Sequence, residues 1–485
     1  MNHYAILGLP FGASMEQIRE AYFAAARTLH PDVNYSIDAG EEFLKVQQSY
    51  EILSNAESKK AFDRKLTSED KKLPVTLDIQ FSRSAIRPLS EPQLIYVLMT
   101  FTSTTELKPE DLPPRNLCLV IDRSTSMQGK RMEIVKANIL QLVKQLNPQD
   151  QISVVTFSDW ANVVIPSSRL TNAHSLESRI RAIETSGGTE IMRGLQMGLR
   201  ELKQTIHFEG NSHLILLTDG HTYGDEESCF DLARQSAEEK IVISALGIGG
   251  EWNDEFLDRL TAISGGSTRY VSLPDDLSKH IAQMVDFSKM SFTRGLKFGA
   301  VMDEAVNLQF AFRLYPEVTP LPVDVSPLNF GNLPVKGNLS VLFEYRIENS
   351  EQLEDCIRLG SGFVEYIPIA SGETRRLFVS MKRPIHKLLE REAPPAAILN
   401  AMSRLTLYRM QERVREEVKA GDLQNATRHL KKLATNLLSQ GNLNLAHVVL
   451  NEVRNLETTQ KFSNDGDKRI KYGTRSLLLP SGWEK

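Results

Sequence analysis

Cysteine is scarce. Cys118, Cys229 and Cys356 lie far apart in 485 residues and make no metal-ligand spacing. Cys118 reads as a small core residue, and such sparing use fits a reducing compartment. Neither sign of charge dominates: 57 Lys and Arg against 61 Asp and Glu leave a net charge of −4, which gives no argument for wholesale nucleic-acid binding. No apolar run is long enough to cross a bilayer. Met1-Asn2-His3-Tyr4 lacks the basic start and apolar run of a secretory leader, so a cytoplasmic protein is expected. Phosphate loops of the Gly-x-x-x-x-Gly-Lys-Ser/Thr kind are absent, and Gly247-Ile248-Gly249-Gly250 lacks the third spaced glycine of a dinucleotide loop. Nucleotide hydrolysis by this chain is thereby set aside.

What the chain has is length, enough for three or four domains rather than one core, and one oxygen-rich loop. Leu117, Cys118, Leu119, Val120 and Ile121 are apolar in succession, as a strand covered on both faces must be. That strand delivers Asp122-x-Ser124-x-Ser126 to its carboxyl end, where open α/β sheets place ligands. Thr189 follows Gly187-Gly188, and Asp219 follows a second apolar strand, His213–Thr218. Two carboxylates and three hydroxyls suit a hard divalent ion, Mg²⁺ or Mn²⁺. Scattered Ser, Thr and Asp are otherwise ordinary turn formers and caps; here residue type, order and strand-end placement coincide. Strand and helix alternate over 116–287, which predicts a doubly wound parallel sheet covered on both faces.

Residues 116–287 resemble the von Willebrand factor type A fold. Asp122-x-Ser124-x-Ser126, Thr189 and Thr218-Asp219-Gly220 match its metal-ion-dependent adhesion site residue by residue. The resemblance implies that Ser124, Ser126 and Thr189 ligate the ion directly, and that Asp122 and Asp219 do so directly or through water. It also implies that a carboxylate of a bound protein completes the coordination. Neutral hydroxyl ligands leave a cation under-neutralised, so an incoming Asp or Glu gains a strong contact. A metal with an open position can also activate water, but that needs a base. The nearby candidates are His221, Asp225, Glu226 and Glu227, and such a loop is more often a solvated rim. No catalytic residue is assigned, and a non-enzyme is expected.

The first segment, 1–66, opens with a capping box, Ser14-Met15-Glu16-Gln17. Ile18, Ala21, Tyr22, Ala25 and Leu29 follow helical spacing, and Phe43, Val46, Tyr50 and Leu53 mark a second helix antiparallel to the first. His30-Pro31-Asp32 sits at the tip of this hairpin, with Pro31 fixing the turn. Together with Tyr4-Ala5-Ile6-Leu7-Gly8, Tyr50–Ser54 and Ala61-Phe62-Asp63-Arg64, these residues resemble the J-domain of DnaJ-like co-chaperones. The resemblance implies docking on an ATP-loaded chaperone of the seventy-kilodalton heat-shock class. His30, Pro31 and Asp32 would trigger the partner's hydrolysis, and Arg19 and Arg27 would supply the basic docking face. That face is depleted: Phe23-Ala24-Ala25-Ala26 follows Tyr22, and Glu16 and Glu20 stand beside the arginines. Weaker electrostatic steering is expected.

The rest reads as connection and support. Residues 67–74 are a polar linker. Val75–Phe81 and Gln93–Thr102 alternate as strands within 75–115, and five more (Val306–Arg313, Leu321–Val325, Leu339–Ile347, Gly362–Pro368, Thr374–Met381) lie in 290–385. Together they number about seven, within the range of a β-sandwich. The expectation is a sandwich carrying the α/β domain as an insertion, with Val75–Phe81 pairing to a strand beyond residue 290. Residues 386–457 read as a three-helix bundle with a half-repeat, Gly421-Asp422-Leu423 and Gly441-Asn442-Leu443. Arg404, Arg409, Arg413, Arg415, Lys431 and Lys432 read as a solvated face, and 458–485 as a flexible tail.

The reading is a J-domain adaptor. It binds a protein client through Mg²⁺ and recruits a seventy-kilodalton chaperone, with no nucleic acid involved. The alternative is an assembly scaffold whose J-domain is inactive.

Overall fold

The computed structural model describes residues 2–30, 39–67, 71–104, 113–169, 173–204, 210–221, 224–272, 276–351, 353, 355–387, 392–463 and 465–478. The chain forms two compact units. The first takes in Met1–Pro109, Ser291–Phe312 and Leu321–Ile398; the second takes in Glu110–Met290, Arg313–Pro320 and Leu399–Lys485.

The first unit begins with helices α1 (His3–Ile6), α2 (Met15–Leu29), α3 (Ala39–Ser54) and α4 (Ala56–Asp63). The capping box forms: the Gln17 amide donates to Ser14 Oγ at 3.2 Å, and Gln17 Oε1 accepts from the Ser14 amide at 2.9 Å. Tyr22 stacks on Tyr50 with ring centres 4.2 Å apart, and His30 meets Phe43 at 5.2 Å. As one partner advances the other recedes, so α2 and α3 run antiparallel. Strands β1 (Val75–Phe81) and β2 (Gln93–Ser103) follow.

The second unit contains the α/β domain. Its strands are β3 (Arg115–Asp122), β4 (Gln151–Phe157), β5 (Ala161–Arg169), β6 (Asn211–Thr218), β7 (Ile241–Ile248) and β8 (Thr268–Val271). Its helices are α5 (Lys130–Gln145), α6 (Ala173–Arg181), α7 (Ile191–Lys203), α8 (Glu226–Glu238), α9 (Asp254–Ser264) and α10 (Leu277–Lys289). The strand order is β5-β4-β3-β6-β7-β8. Strand β3 is buried at every position. Leu117, Leu119 and Ile121 share one core with α5 and α10, while Cys118 and Val120 share another with α7 and α8. The sheet is mixed rather than wholly parallel, because β5 runs antiparallel to β4. Only Ser158-Asp159-Trp160 joins them, and a parallel crossover needs a dozen or more residues.

Next in the chain come β9 (Thr293–Val301), β10 (Val306–Tyr315), β11 (Thr319–Leu321), β12 (Leu328–Gly331), β13 (Asn338–Ile347), β14 (Cys356–Pro368) and β15 (Arg375–Pro384), all in the first unit but for Arg313–Pro320. They build two sheets, β1-β2-β13-β10-β11 and β12-β9-β14-β15. Phe101 and Phe343 from the first meet Phe298 and Phe330 from the second at centroid distances of 5.8–6.0 Å, so the two sheets face each other across an aromatic core. In chain order the α/β domain therefore interrupts a sandwich. The joining strand differs from expectation, however. β1 pairs with β2 alone and is an edge, whereas β2 carries the link, with Met99 opposite Val341. Strands β9 and β12 were not foreseen, and the strand expected at Leu321–Val325 ends at Leu321.

This sandwich also carries the N-terminal helices. Phe363 and Phe378 belong to the same apolar cluster as Tyr4, Leu7, Ile18 and Ala24. The Phe378 amide donates to the Gly8 carbonyl at 2.7 Å. A Cβ on Gly8 would stand 2.7 Å from that nitrogen, so only glycine allows the approach.

Helices α11 (Ala396–Lys419), α12 (Leu423–Ser439), α13 (Leu443–Thr459) and α14 (Gly466–Ser476) close the chain. The half-repeat marks the starts of α12 and α13, where Asp422 and Asn442 are the N-caps. Two expectations fail here. The segment 466–476 is a helix, and Arg415 is buried. The reason is charge pairing with α9: Arg415 donates to Asp254 at 2.7 and 2.9 Å, Arg475 donates to Asp258, and Lys471 pairs with both aspartates. Spacing of three and four residues puts Lys468, Lys471, Tyr472 and Arg475 on one face of α14, and that face is covered.

Candidate functional site

The parallel register of β3 and β6 sets Ile121 opposite Leu217, so both strands end at the same level, with Asp122 beside Thr218 and Asp219 one residue on. Thr218 Oγ1 donates to Asp122 Oδ2 at 2.7 Å, and the Ser124 amide donates to Asp122 Oδ1 at 2.8 Å. A short 3-10 turn, Thr125–Met127, then lifts Ser126 to the surface. Its hydroxyl lies 2.9 Å from Ser124 Oγ and donates to Asp219 Oδ1 at 2.6 Å. Asp122, Asp219 and Ser124 are buried. Burial pushes the Asp122 carboxyl up to about 6, against the pull of hydrogen bonds from Ser124 and Thr218.

Thr189 comes from the neighbouring loop. Gly187 has φ +79, and a Cβ there would meet Asp159 Oδ2 at 2.3 Å; Asp159 Oδ1 in turn accepts from the Gly188 amide at 2.8 Å. The Thr125 amide donates to the Gly187 carbonyl at 3.1 Å, tying the two loops together. Thr189 Oγ1 then lies 3.0 Å from where a Cβ of Gly220 would be. Ser124, Ser126 and Asp219 are joined through their side chains, Asp122 is tied to them through the Ser124 main-chain amide, and Thr189 stands beside this run.

The donor set fits a hard divalent ion: two buried carboxylates and two hydroxyls at or just past the ends of adjacent strands β3 and β6, with the Thr189 hydroxyl from the loop before α7. Among the described residues no group of three or more His, Cys, Asp or Glu side chains could hold a metal, so a site here depends on its hydroxyls. A cation is already drawn to it, because Arg131 Nη1 donates to Asp219 Oδ2 at 2.5 Å and to the Ser126 carbonyl at 3.2 Å. Of the acidic candidates for a base, Asp225 accepts from the Met192 amide, Glu226 from Asn253 and Glu227 from Arg234. His221 is exposed.

In the first unit, His30 ends α2, with its amide donating to the Ala26 carbonyl at 3.1 Å. Pro31 and Asp32 lie outside the described residues. Arg19 and Arg27 are exposed on α2, with the Arg19 guanidinium 5.7 Å from the centre of the Phe23 ring. Glu20 faces the sandwich instead, pairing with Lys382 and accepting from Ser380 Oγ at 2.9 Å.

Residues 2–63 match the DnaJ domain family, and 116–286 match the von Willebrand factor type A domain. The chain carries both domains. Residues 396–480 match the Sll0103-like C-terminal alpha-helical domain, which takes in α14. The uncharacterized protein Sll0103 of Synechocystis sp. is 27% identical over 378 residues, 76% of this chain and 89% of its own length. The uncharacterized protein YfbK of Escherichia coli is 25% identical over 177 residues, 36% of this chain and 31% of its own. A von Willebrand factor type A protein from Catenulispora acidiphila shares the fold with a TM-score of 0.64 at 14% identity, over 83% of this chain and 96% of its own. The ArnB paralog VWA2 from Sulfolobus acidocaldarius does so at 0.55 and 15%, over 84% and 98%.

Two features of the domains escaped the sequence. Arg131 of the type A domain is a helix residue whose partner, Asp219, is 88 positions away. In the DnaJ domain Glu20 does not face solvent beside Arg19: its charge is met by Lys382, 362 positions on. Neither pairing leaves a local signal.

Proposed function

We propose that this chain is a non-enzymatic, cytoplasmic adaptor joining a metal-dependent protein-binding domain to a chaperone-recruiting one. Ser124, Ser126 and Thr189 would hold Mg²⁺ or Mn²⁺, with Asp122 and Asp219 bound directly or through water. When bound, the ion supplies an electrophilic position for an Asp or Glu side chain of a protein client. The chain's own residues preorganise that position: Thr218 and the Ser124 amide orient Asp122, and Ser126 is presented at the surface with its oxygen toward Asp219. The carrying observation is this hydrogen-bonded run from Asp122 and Ser124 through Ser126 to Asp219.

His30, Pro31 and Asp32 would stimulate the ATPase of a seventy-kilodalton heat-shock-class chaperone docked on Arg19 and Arg27. The outward setting of both arginines, with Glu20 occupied elsewhere, supports this reading. Client capture would then raise the chaperone's local concentration on that client. Among the described residues no helix is long and apolar enough to cross a membrane.

One set of proteins tests both halves. Asp219→Ala is expected to abolish EDTA-sensitive client capture while leaving ATPase stimulation intact, and His30→Gln is expected to do the reverse. Capture indifferent to EDTA and to Asp219→Ala removes the metal half. Stimulation absent in the wild type, with capture retained, favours a scaffold with an inactive DnaJ domain.

A further inference from the structure

We propose that Arg131 is an internal counter-cation for Asp219 that competes with the divalent ion and so sets the ion affinity of the site. The inference rests on the metal reading above. Asp219 is fully buried and its two oxygens have separate duties: Oδ1 accepts from Ser126, one of the hydroxyls of the donor set, while Oδ2 accepts from Arg131 at 2.5 Å. The same Arg131 nitrogen reaches the Ser126 carbonyl at 3.2 Å. Arg131 thus bridges the two residues that link the β3 loop to the end of β6.

Its position is built. Gly249 has φ +71, and a Cβ there would stand 3.3 Å from Arg131 Nη2; the bare backbone leaves room for the guanidinium. The side chain is 39% exposed, so once an ion takes its place beside Asp219 the guanidinium can move into solvent. Asp219, at 0%, cannot leave. A divalent ion among Ser124, Ser126 and Thr189 would bring a second positive charge to the same carboxylate. Like charges a few ångströms apart repel strongly at a partly desolvated place, so ion binding must either displace Arg131 or be weakened by it. In both cases the arginine subtracts from ion affinity and stabilises Asp219 when no ion is bound.

Isothermal titration of the full-length chain with MgCl₂ tests this in wild type, Arg131→Gln, Arg131→Lys and Asp219→Ala, with circular dichroism as the check on folding. Arg131→Gln is expected to bind Mg²⁺ roughly tenfold more tightly than wild type, and its metal-free form is expected to melt at a lower temperature. Arg131→Lys, which keeps the charge, should stay near wild type. Equal or weaker Mg²⁺ binding by Arg131→Gln, with Asp219→Ala silent, overturns the role of Arg131 and leaves the metal reading standing. No heat from wild type or from Arg131→Gln overturns both. Binding seen only after Arg131→Gln supports the competition in its strongest form.

Discussion

Arg415 and Asp254, 161 positions apart in the chain, meet end to end, with Nη1 donating to Oδ2 and Nη2 to Oδ1. Both side chains are buried, and Lys471 from α14 joins the same carboxylate. Removing one member of a buried ion pair leaves its partner charged and desolvated, typically at a cost of about 3–5 kcal/mol. Asp254→Asn is therefore expected to destabilise the second unit by about that much in urea unfolding. Burial alone would raise the Asp254 carboxyl, but Lys471 and Arg415 overcome it and hold the group well below the usual carboxylate range. A depressed carboxylate contributes stability that is complete above its unfolded value, about pH 4, and is lost as pH falls toward the lower folded value. Acid unfolding of Asp254→Asn should be correspondingly shallower there.

His213 gives a second, separate window. It lies in β6 beside Ser244, with Nε2 2.8 Å from the hydroxyl, and burial pulls its imidazole down from 6.5 to about 4. The unfolded chain takes up a proton that the folded one refuses, so this share of stability is present above pH 6.5 and lost as pH falls toward 4. His213→Gln keeps a hydrogen-bonding side chain but cannot titrate. Its stability should change less than that of wild type between pH 6.5 and 4, and an identical slope would show that His213 is not the titrating group.

Glu20 and Lys382 join α2 to β15, both largely covered. A double-mutant cycle of Glu20→Ala and Lys382→Ala should show a coupling of about 1 kcal/mol. If Glu20→Ala instead weakens chaperone docking without coupling to Lys382, its carboxylate belongs to the chaperone-facing surface after all.

Legibility followed the range of the forces involved. Strand β3 could be read because five successive apolar residues have one explanation, and the strand ends at Asp122. The capping box at Ser14 and Gln17 is a local contract between residues three apart. By contrast, β8 and β12 are four residues long, and Gly295 and Gly299 interrupt the alternation of β9; none carries enough pattern to be seen. Helix α14 was hidden for another reason. Lys468, Lys471 and Arg475 look like solvent residues until the aspartates of α9 are placed against them, and no periodicity in the C-terminal segment encodes Asp254 or Asp258. The same holds for Arg131 and for Glu20. Local hydrophobic pattern reveals elements, while long-range charge pairing decides which of their polar faces are covered.

The hydrogen bond from the Phe378 amide to the Gly8 carbonyl has a mechanical consequence. A domain hung on a flexible connector explores a volume that grows with connector length. This one is clamped to β14 through Phe363 and to β15 through the backbone, Phe378 and the Glu20 pair with Lys382, so its reach from the sandwich is that of a bracket. Inserting glycines and serines between residues 67 and 74 should leave the distance spanned by His30 unchanged.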